Sequence, residues 1–380
     1  PRPIQVFLAL CLNKFSISSI TLDSAGLVAL ADLPTVAVRT ALMATASWLD
    51  ILVLAPRMHQ QQSADEVNRG EFPKTGSLIN GSVFRVENPA TVSYLQRIGH
   101  TGYLVTAVVE RKQNTKDPKN PYFDLSPPQY HTFYTAGVSM ALLYLLCPML
   151  TIIVFALVGS IRDWWALAVL GMLVLSRTIN VFVIKRRASD SSVWKGAEEE
   201  GRGDLLVVLS QDRWIRLQGD ISDVKRVTAG QWLRDEDRVE SLAVGVATLL
   251  VYAAAALAGN ASTIGSLLVA CLLLCSVALL ALCNSFTHCL QMYDCIVQEG
   301  KTPWKRHGRR LEMVKALVEE IKKGGEQECE SGAWAINMQL IQKIEELDKI
   351  TLPEGTLTTD YSKEPKPSDS VSISTAAAMC

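Results

Sequence analysis

Residues 241–293 contain no Asp, Glu, Lys or Arg. About 20 apolar residues suffice to cross ~30 Å of hydrocarbon, so this stretch is too long for one pass. The turn-forming pair Gly259-Asn260 divides it into Leu242–Ala258 and Ile264–Cys283, each close to one bilayer thickness. The pattern predicts a transmembrane helical hairpin. Upstream, 125–161 is again free of formal charge, with its most apolar part at Gly137–Val158. A break at Gly159-Ser160-Ile161-Arg162-Asp163 separates it from a second span, Trp164–Ile184, which Lys185-Arg186-Arg187 closes. Trp164 and Trp165 stand where an aromatic belt holds a helix end at an interface. The fold class read from this pattern is mainly α and integral to a membrane: two transmembrane hairpins, four spans, with small α+β segments outside the bilayer.

Residues 1–56 are harder to place. Val36–Leu54 is largely apolar, but Pro34 opens it and Arg39 and Asp50 interrupt it. A charge at mid-bilayer costs about 3 kcal/mol on insertion scales, tolerable only near an interface or with a partner. An amphipathic in-plane helix is the preferred reading, and a fifth span is the alternative.

The polar regions divide at 57–134, 188–240 and 294–350. In the first, Asn80-Gly81 is a hairpin signal between short β-prone runs, Tyr103–Val109 reads as a strand, and Lys112–Pro128 as a linker. In the second, Leu205–Leu209 and Trp214–Leu217 read as two strands joined by a turn. Ile221–Leu233 then has helical rhythm and leads into the third span, with 135–187 and 241–293 as the two membrane hairpins. Beyond these, Leu311, Val314, Leu317, Val318 and Ile321 mark one face of an amphipathic helix, and Ala335–Ile350 predicts another. Residues 351–380 are polar and Ser/Thr-rich, a composition that predicts disorder.

Basic residues set the expected orientation. The turns carry Arg162 and nothing else basic, whereas Lys185–Arg187 and Lys301, Lys305, Arg306, Arg309 and Arg310 crowd the other ends. The positive-inside rule puts those ends, and with them the N-terminal region, middle segment and C-terminus, in the cytosol. The sequon at Asn260-Ala261-Ser262 lies too close to the membrane for modification, and that at Asn80-Gly81-Ser82 is on the cytosolic side. Which membrane is left open between plasma membrane and endomembrane.

A net charge of −1 gives no basic footprint, so no nucleic acid is expected as a partner. Of nine cysteines, Cys147, Cys271, Cys275 and Cys283 fall in apolar segments, unlike a secreted disulfide framework. No CxxC or paired-His motif accompanies Cys271, Cys275, Cys283, His288, Cys289 and Cys295, so no metal and no cofactor are expected. Cys289 and Cys295, at the expected membrane edge, are candidates for S-palmitoylation. No nucleophile–base pair or phosphate loop is present, and no catalytic residue is assigned.

Arg177 is the one formal charge inside a well-formed span, with Asn180 at i+3 on the same face. Intramembrane ionisable residues line cavities or pair with partners. The preferred reading is that Arg177 snorkels toward Lys185 at the interface. No Asp or Glu lies within the four spans, so an intramembrane ion pair needs an acid from elsewhere.

The blocks Ser191-Ser192-Val193-Trp194-Lys195-Gly196, Leu209-Ser210-Gln211-Asp212-Arg213-Trp214 and Thr228-Ala229-Gly230-Gln231-Trp232-Leu233 precede the long apolar hairpin. Over roughly 74–300 the chain resembles a group of uncharacterised multi-pass membrane proteins of filamentous fungi, a group with no assigned activity. The resemblance implies a membrane protein in a fungal setting and carries no site residue. The expectation is a non-enzymatic scaffold or assembly subunit whose partners are the lipid bilayer and another protein or its own copies. The alternative is a transporter or channel component with Arg177 and Asn180 lining the path.

Overall fold

The computed structural model describes residues 25–61, 63–111, 138–189, 194, 199–323 and 333–342. The linker at 112–128, the distal part of the helix expected over 335–350 and the tail at 351–380 lie outside the described residues. Among the described residues, four helices are long and apolar enough to cross a membrane. They are α4 (Val138–Ile161), α5 (Trp164–Ser189), α7 (Arg238–Leu257) and α8 (Thr263–Ser285); among the described residues three short helices precede α4 and two more follow α8. The chain turns between α7 and α8 through a single 3-10 turn, Ala258–Asn260, where the Gly-Asn pair predicts it.

The helices within a hairpin scarcely touch one another; α5 packs mainly on α7, and α4 mainly on α8. Into the splayed hairpins goes the segment the sequence left ambiguous. Neither one in-plane helix nor a fifth span forms from 25–56. It breaks into a 3-10 turn at Ala25–Leu30, helix α1 (Thr35–Met43) and a second 3-10 turn at Trp48–Leu52. The first turn packs between α7 and α8, the second against α4 and α5. Val53, Leu54, Ala55 and Met58 are almost completely buried among residues of all four long helices. The interruptions explain the breakage: Pro34 precedes α1 without capping it, Ala44 ends it in the left-handed region, and Ser47 and Asp50 form a capping box.

The polar segments do not fold separately. Strands β1 (Lys74–Ser77), β2 (Val83–Arg85), β3 (Tyr103–Arg111), β4 (Arg202–Leu209), β5 (Arg213–Asp220), β6 (Cys289–Met292) and β7 (Cys295–Glu299) form one sheet in the order β2-β1-β4-β5-β3-β7-β6. The short β8 (Lys305–Arg306) also pairs with β3. Strand β1 pairs antiparallel with β4, and β3 lies parallel to β5 and antiparallel to β7. Residues from before α4, between α5 and α7, and after α8 are therefore hydrogen-bonded neighbours at one end of the bundle. Gln211 and Asp212, both with positive φ, make the tight β4–β5 turn, the two-residue geometry favoured by strand twist. The Asn80-Gly81 signal falls in a wider loop between β1 and β2, with Gly81 at φ 68°.

Alternation along the strands gives the sheet two apolar faces. Val105, Ala107, Val207, Ile215 and Leu217 pack with helices α3 (Pro89–Ile98) and α6 (Ile221–Thr228). Leu104, Leu206 and Trp214 face helices α9 (Arg310–Lys323) and α10 (Ala333–Asn337). Helix α9 covers its face through Val314, Leu317 and Val318 of the stripe read from the sequence, with Leu311 and Ile321 half-buried beside them and Met313, outside that stripe, fully buried. The remaining short helix, α2 (Ala64–Asn68), is capped by Ser63.

At the end of the bundle away from the sheet, Asp163 ties the two hairpins. Its carboxylate accepts from Ala166 N at 3.0 Å, Ser262 N at 2.8 Å and Ser262 Oγ at 2.6 Å. Burial opposes its charge, yet these hydrogen bonds hold its carboxyl below the usual carboxylate range. A Cβ at Gly265 would lie 2.2 Å from Asp163 Oδ2 and 2.9 Å from Ala166 Cβ. Gly265→Ala should therefore push the turns apart and cost about 1–3 kcal/mol. Thermal unfolding of the purified protein in detergent checks this; an unchanged midpoint would show that the Asp163 clamp does not hold the turns together.

Candidate functional site: a buried polar cluster between the helices

Arg177 points inward. It is 2% exposed, and its Nε donates to the backbone carbonyl of Asp50 at 3.0 Å. The snorkelling reading is thereby corrected: the guanidinium is held by the N-terminal segment and does not turn toward Lys185. The physical reason is an acceptor invisible to a reading of α5 alone: the Asp50 carbonyl, which takes Val53 N within its short 3-10 turn and has a second lone pair for Arg177. Along α5 the eight residues from Lys185 place Arg177 about 12 Å down the helix axis.

Asp50 supplies the acid that the spans lack. Its Oδ1 accepts from the Tyr144 hydroxyl at 2.7 Å, and its Oδ2 from Ser47 N at 2.6 Å. On the other side of Tyr144, Arg39 stacks with its Cζ 5.1 Å from the ring centroid. Arg39 Nη1 contacts Met140 Sδ at 3.5 Å and Thr287 Oγ1 at 3.4 Å, both weak acceptors for a guanidinium. Deeper along α4, Thr151 Oγ1 donates to Leu52 O at 2.7 Å. The segment thus exchanges hydrogen bonds with helices on both sides, meeting the demand for satisfied backbone in an apolar bundle.

Asn180, the other intramembrane candidate, is fully buried. Its Nδ2 donates to Ser176 O at 3.1 Å, and its Oδ1 accepts from Gln61 Nε2 at 2.7 Å. Gln61 also accepts from Arg187 Nη1 at 3.2 Å, and Arg187 reaches Glu236 at 3.0 Å and Arg234 O at 2.7 Å. Glu240, nearby and buried, takes Arg234 through both oxygens at 2.7 and 2.8 Å, with Arg186 at 3.3 Å. Arg177 and Asn180 share a helix face but belong to different contacts: Asp50 holds the one, Gln61 the other. Lys185 Nζ donates to Ala46 O at 3.3 Å and lies over the exposed Trp48 ring.

Cys289 and Cys295 do not lie at an accessible membrane edge. They sit in β6 and β7 at 3% and 0% exposure, within the sheet that sequence periodicity missed. Burial pushes the Cys295 thiol up to about 12, with the Asp223 charge adding to it. Acylation requires an exposed thiolate, so the palmitoylation assignment is corrected for both. Among the described residues no group of three or more His, Cys, Asp or Glu is placed to hold a metal.

A second charged cluster lies on the sheet. Arg216 takes Asp204 through Nε at 2.9 and 3.0 Å and through Nη2, and Glu320 through Nη1 at 2.8 Å. Burial works against the Glu320 charge, but Lys305 and Arg216 hold its carboxyl below the usual range. Every member has a partner, and the arrangement pins α9 to the sheet.

Of the three sequence blocks Ser191–Gly196, Leu209–Trp214 and Thr228–Leu233, the first and third touch through their backbones at Trp194 and Gln231, while Leu209–Trp214 forms the β4–β5 turn and contacts Glu71 and Gln96. Gln231 N donates to Trp194 O at 2.8 Å, and Trp232 Nε1 to Ala44 O at 3.2 Å. Comparison of the chain with family models, curated proteins and solved structures gives no match.

Asp50, Tyr144, Arg39 and Gln61 are the cluster members that sequence reading did not assign. For Arg39 and Asp50 the signal was present as two charges interrupting an apolar run. For Tyr144 and Gln61 there was none. Asp50→Ala strips Tyr144 and Ser47 N of a charged acceptor and should cost about 3 kcal/mol, Asp50→Asn less, as read from thermal melts. Equal melts for Asp50→Ala and wild type would show that the carboxylate does not hold the segment. Maleimide should label neither Cys289 nor Cys295 in the folded protein and both after denaturation, by mass spectrometry of tryptic peptides. Labelling of either in the native state would reopen it as a modification site.

Proposed function

We propose that this is a multi-pass integral membrane protein that acts without catalysis, as a scaffold or assembly subunit presenting the sheet and its covering helices on one side of the bilayer. The observation carrying this reading is the filling of the bundle centre by 44–61, whose Val53, Leu54, Ala55 and Met58 are 0–1% exposed. Asn180 is occupied in binding this segment to the helices, and Arg177 holds it through Asp50. The joint sheet adds support: three chain segments separated by membrane hairpins are joined by backbone hydrogen bonds, which suits a platform that must stay rigid. Basic residues at Lys185–Arg187 and beyond α8 favour the cytosol for that platform. Its partner would be another protein or further copies of the chain.

A transporter or channel component is the second reading, favoured by one observation. Irregular backbone at depth in a helical bundle is found where it is buried in protein or lines a polar cavity, and in transporters such broken segments form the binding site. The inward Arg177 beside Asp50 fits that use.

Two measurements separate the readings. Affinity purification from the native membrane in mild detergent should yield a stoichiometric protein partner or a defined oligomer. Proteoliposomes should show no solute or ion flux above empty vesicles. Flux abolished by Arg177→Lys, with a monomer free of partners, would reverse the assignment, because Lys lacks both the Nε–H that reaches the Asp50 carbonyl and the planar fork beyond it.

A further inference from the structure

The buried cluster carries more positive than negative charge. Arg39 and Arg177 are 9% and 2% exposed, and neither is within salt-bridge distance of a carboxylate among the described residues. The one carboxylate between them, Asp50, is turned to the Tyr144 hydroxyl and Ser47 N. Of the five donors on each guanidinium, Arg177 uses Nε on the Asp50 carbonyl, and Arg39 uses Nη1 on a thioether and a hydroxyl. The terminal nitrogens of Arg177 donate no hydrogen bond to the described residues, although the side chain is buried. Lys185 stands further along α5 and adds positive charge.

A buried cation without a counter-charge is strongly destabilising, and a guanidinium does not escape by losing its proton. Among the described residues, two cations against one anion leave a single positive charge to neutralise. We infer that the Arg39–Tyr144–Asp50–Arg177 cluster binds one small monovalent anion, of the size and chemistry of a halide, held by the unspent guanidinium donors of Arg177 and Arg39. The choice of a halide over the phosphodiester of a lipid headgroup follows from the surroundings. Cys147, which is fully buried, and Met140, at 2% exposure, are neighbours of the cluster, and Arg177 lies about 12 Å along the helix from the basic residues that would meet a headgroup. The anion would serve the scaffold reading as a structural ion and the transport reading as cargo, so the inference holds under both.

Thermal unfolding of the full chain in neutral detergent, titrated with sodium chloride against sodium gluconate at constant ionic strength, tests it. The midpoint should rise by about 3 °C or more between 1 and 100 mM chloride, as expected for a ligand reaching saturation on the folded state alone. Bromide should act similarly. Arg177→Gln and Arg39→Gln should each lose the chloride response, while Arg216→Gln on the sheet should keep it. Should the two glutamine variants fail to fold, Asp50→Asn decides: removing the carboxylate of this cluster should make the chloride response steeper. A wild-type midpoint indifferent to chloride overturns the inference. So does an unaltered response in Arg177→Gln, or stabilisation by anionic lipid in place of chloride.

Discussion

The fold depends on a wedge. Helices α4 and α5, and likewise α7 and α8, diverge within their own hairpins, and residues 25–61 supply the packing that adjacent helices would ordinarily give each other. A segment of short turns in an apolar bundle exposes carbonyls and amides that a continuous helix would satisfy, and each unsatisfied group costs several kcal/mol in such surroundings. Here the debt is met by side chains aimed at the wedge: Arg177 and Thr151 to its carbonyls, Tyr144 to its carboxylate, Asn180 to its amide side chain. Those four polar residues of the long helices serve the irregular wedge, whereas Ser176 joins α5 to α7 through the Ala247 carbonyl.

The same wedge connects bundle and sheet. Helix α1 packs on α8 and on β6, the edge strand, and Trp232, following α6, donates to the carbonyl of Ala44 just beyond α1. Arg97 at the end of α3 donates to the carbonyls of Asn284 and Ser285 at the end of α8, and Tyr94 to that of His288. Displacement of the wedge would thus disturb both the interior of the bundle and the seating of the sheet. That coupling suits a platform whose orientation relative to the membrane matters. It also gives an anion at Arg177 a route to affect the sheet, through Asp50 and the residues that continue into α2 and β1.

The four long helices were legible because hydrocarbon-crossing helices need only length and apolarity, both local properties. Their termini differ from the sequence reading by a few residues: α5 runs on to Ser189 and α7 begins at Arg238, since charged residues continue a helix past the apolar stretch. Most individual strands were legible as well, from the runs at Tyr103–Val109, Leu205–Leu209 and Trp214–Leu217. Strands β6 and β7 were not, because Cys289–Glu299 follows an apolar helix directly and its composition continues that helix's character.

What the sequence determined by itself was everything that depends on neighbours along the chain: the spans, the Gly259-Asn260 turn, the β4–β5 turn and the apolar stripe of α9. The tertiary structure alone decided which segments pair. The sheet order β2-β1-β4-β5-β3-β7-β6 joins residues on either side of whole membrane hairpins, and no local pattern encodes a partner so distant. Arg177 shows the same division. Its presence in a span was plain from the sequence, but its direction was set by Asp50, 127 residues away, whose carbonyl lies near the end of a short 3-10 turn and accepts from Arg177 as well as from Val53 N.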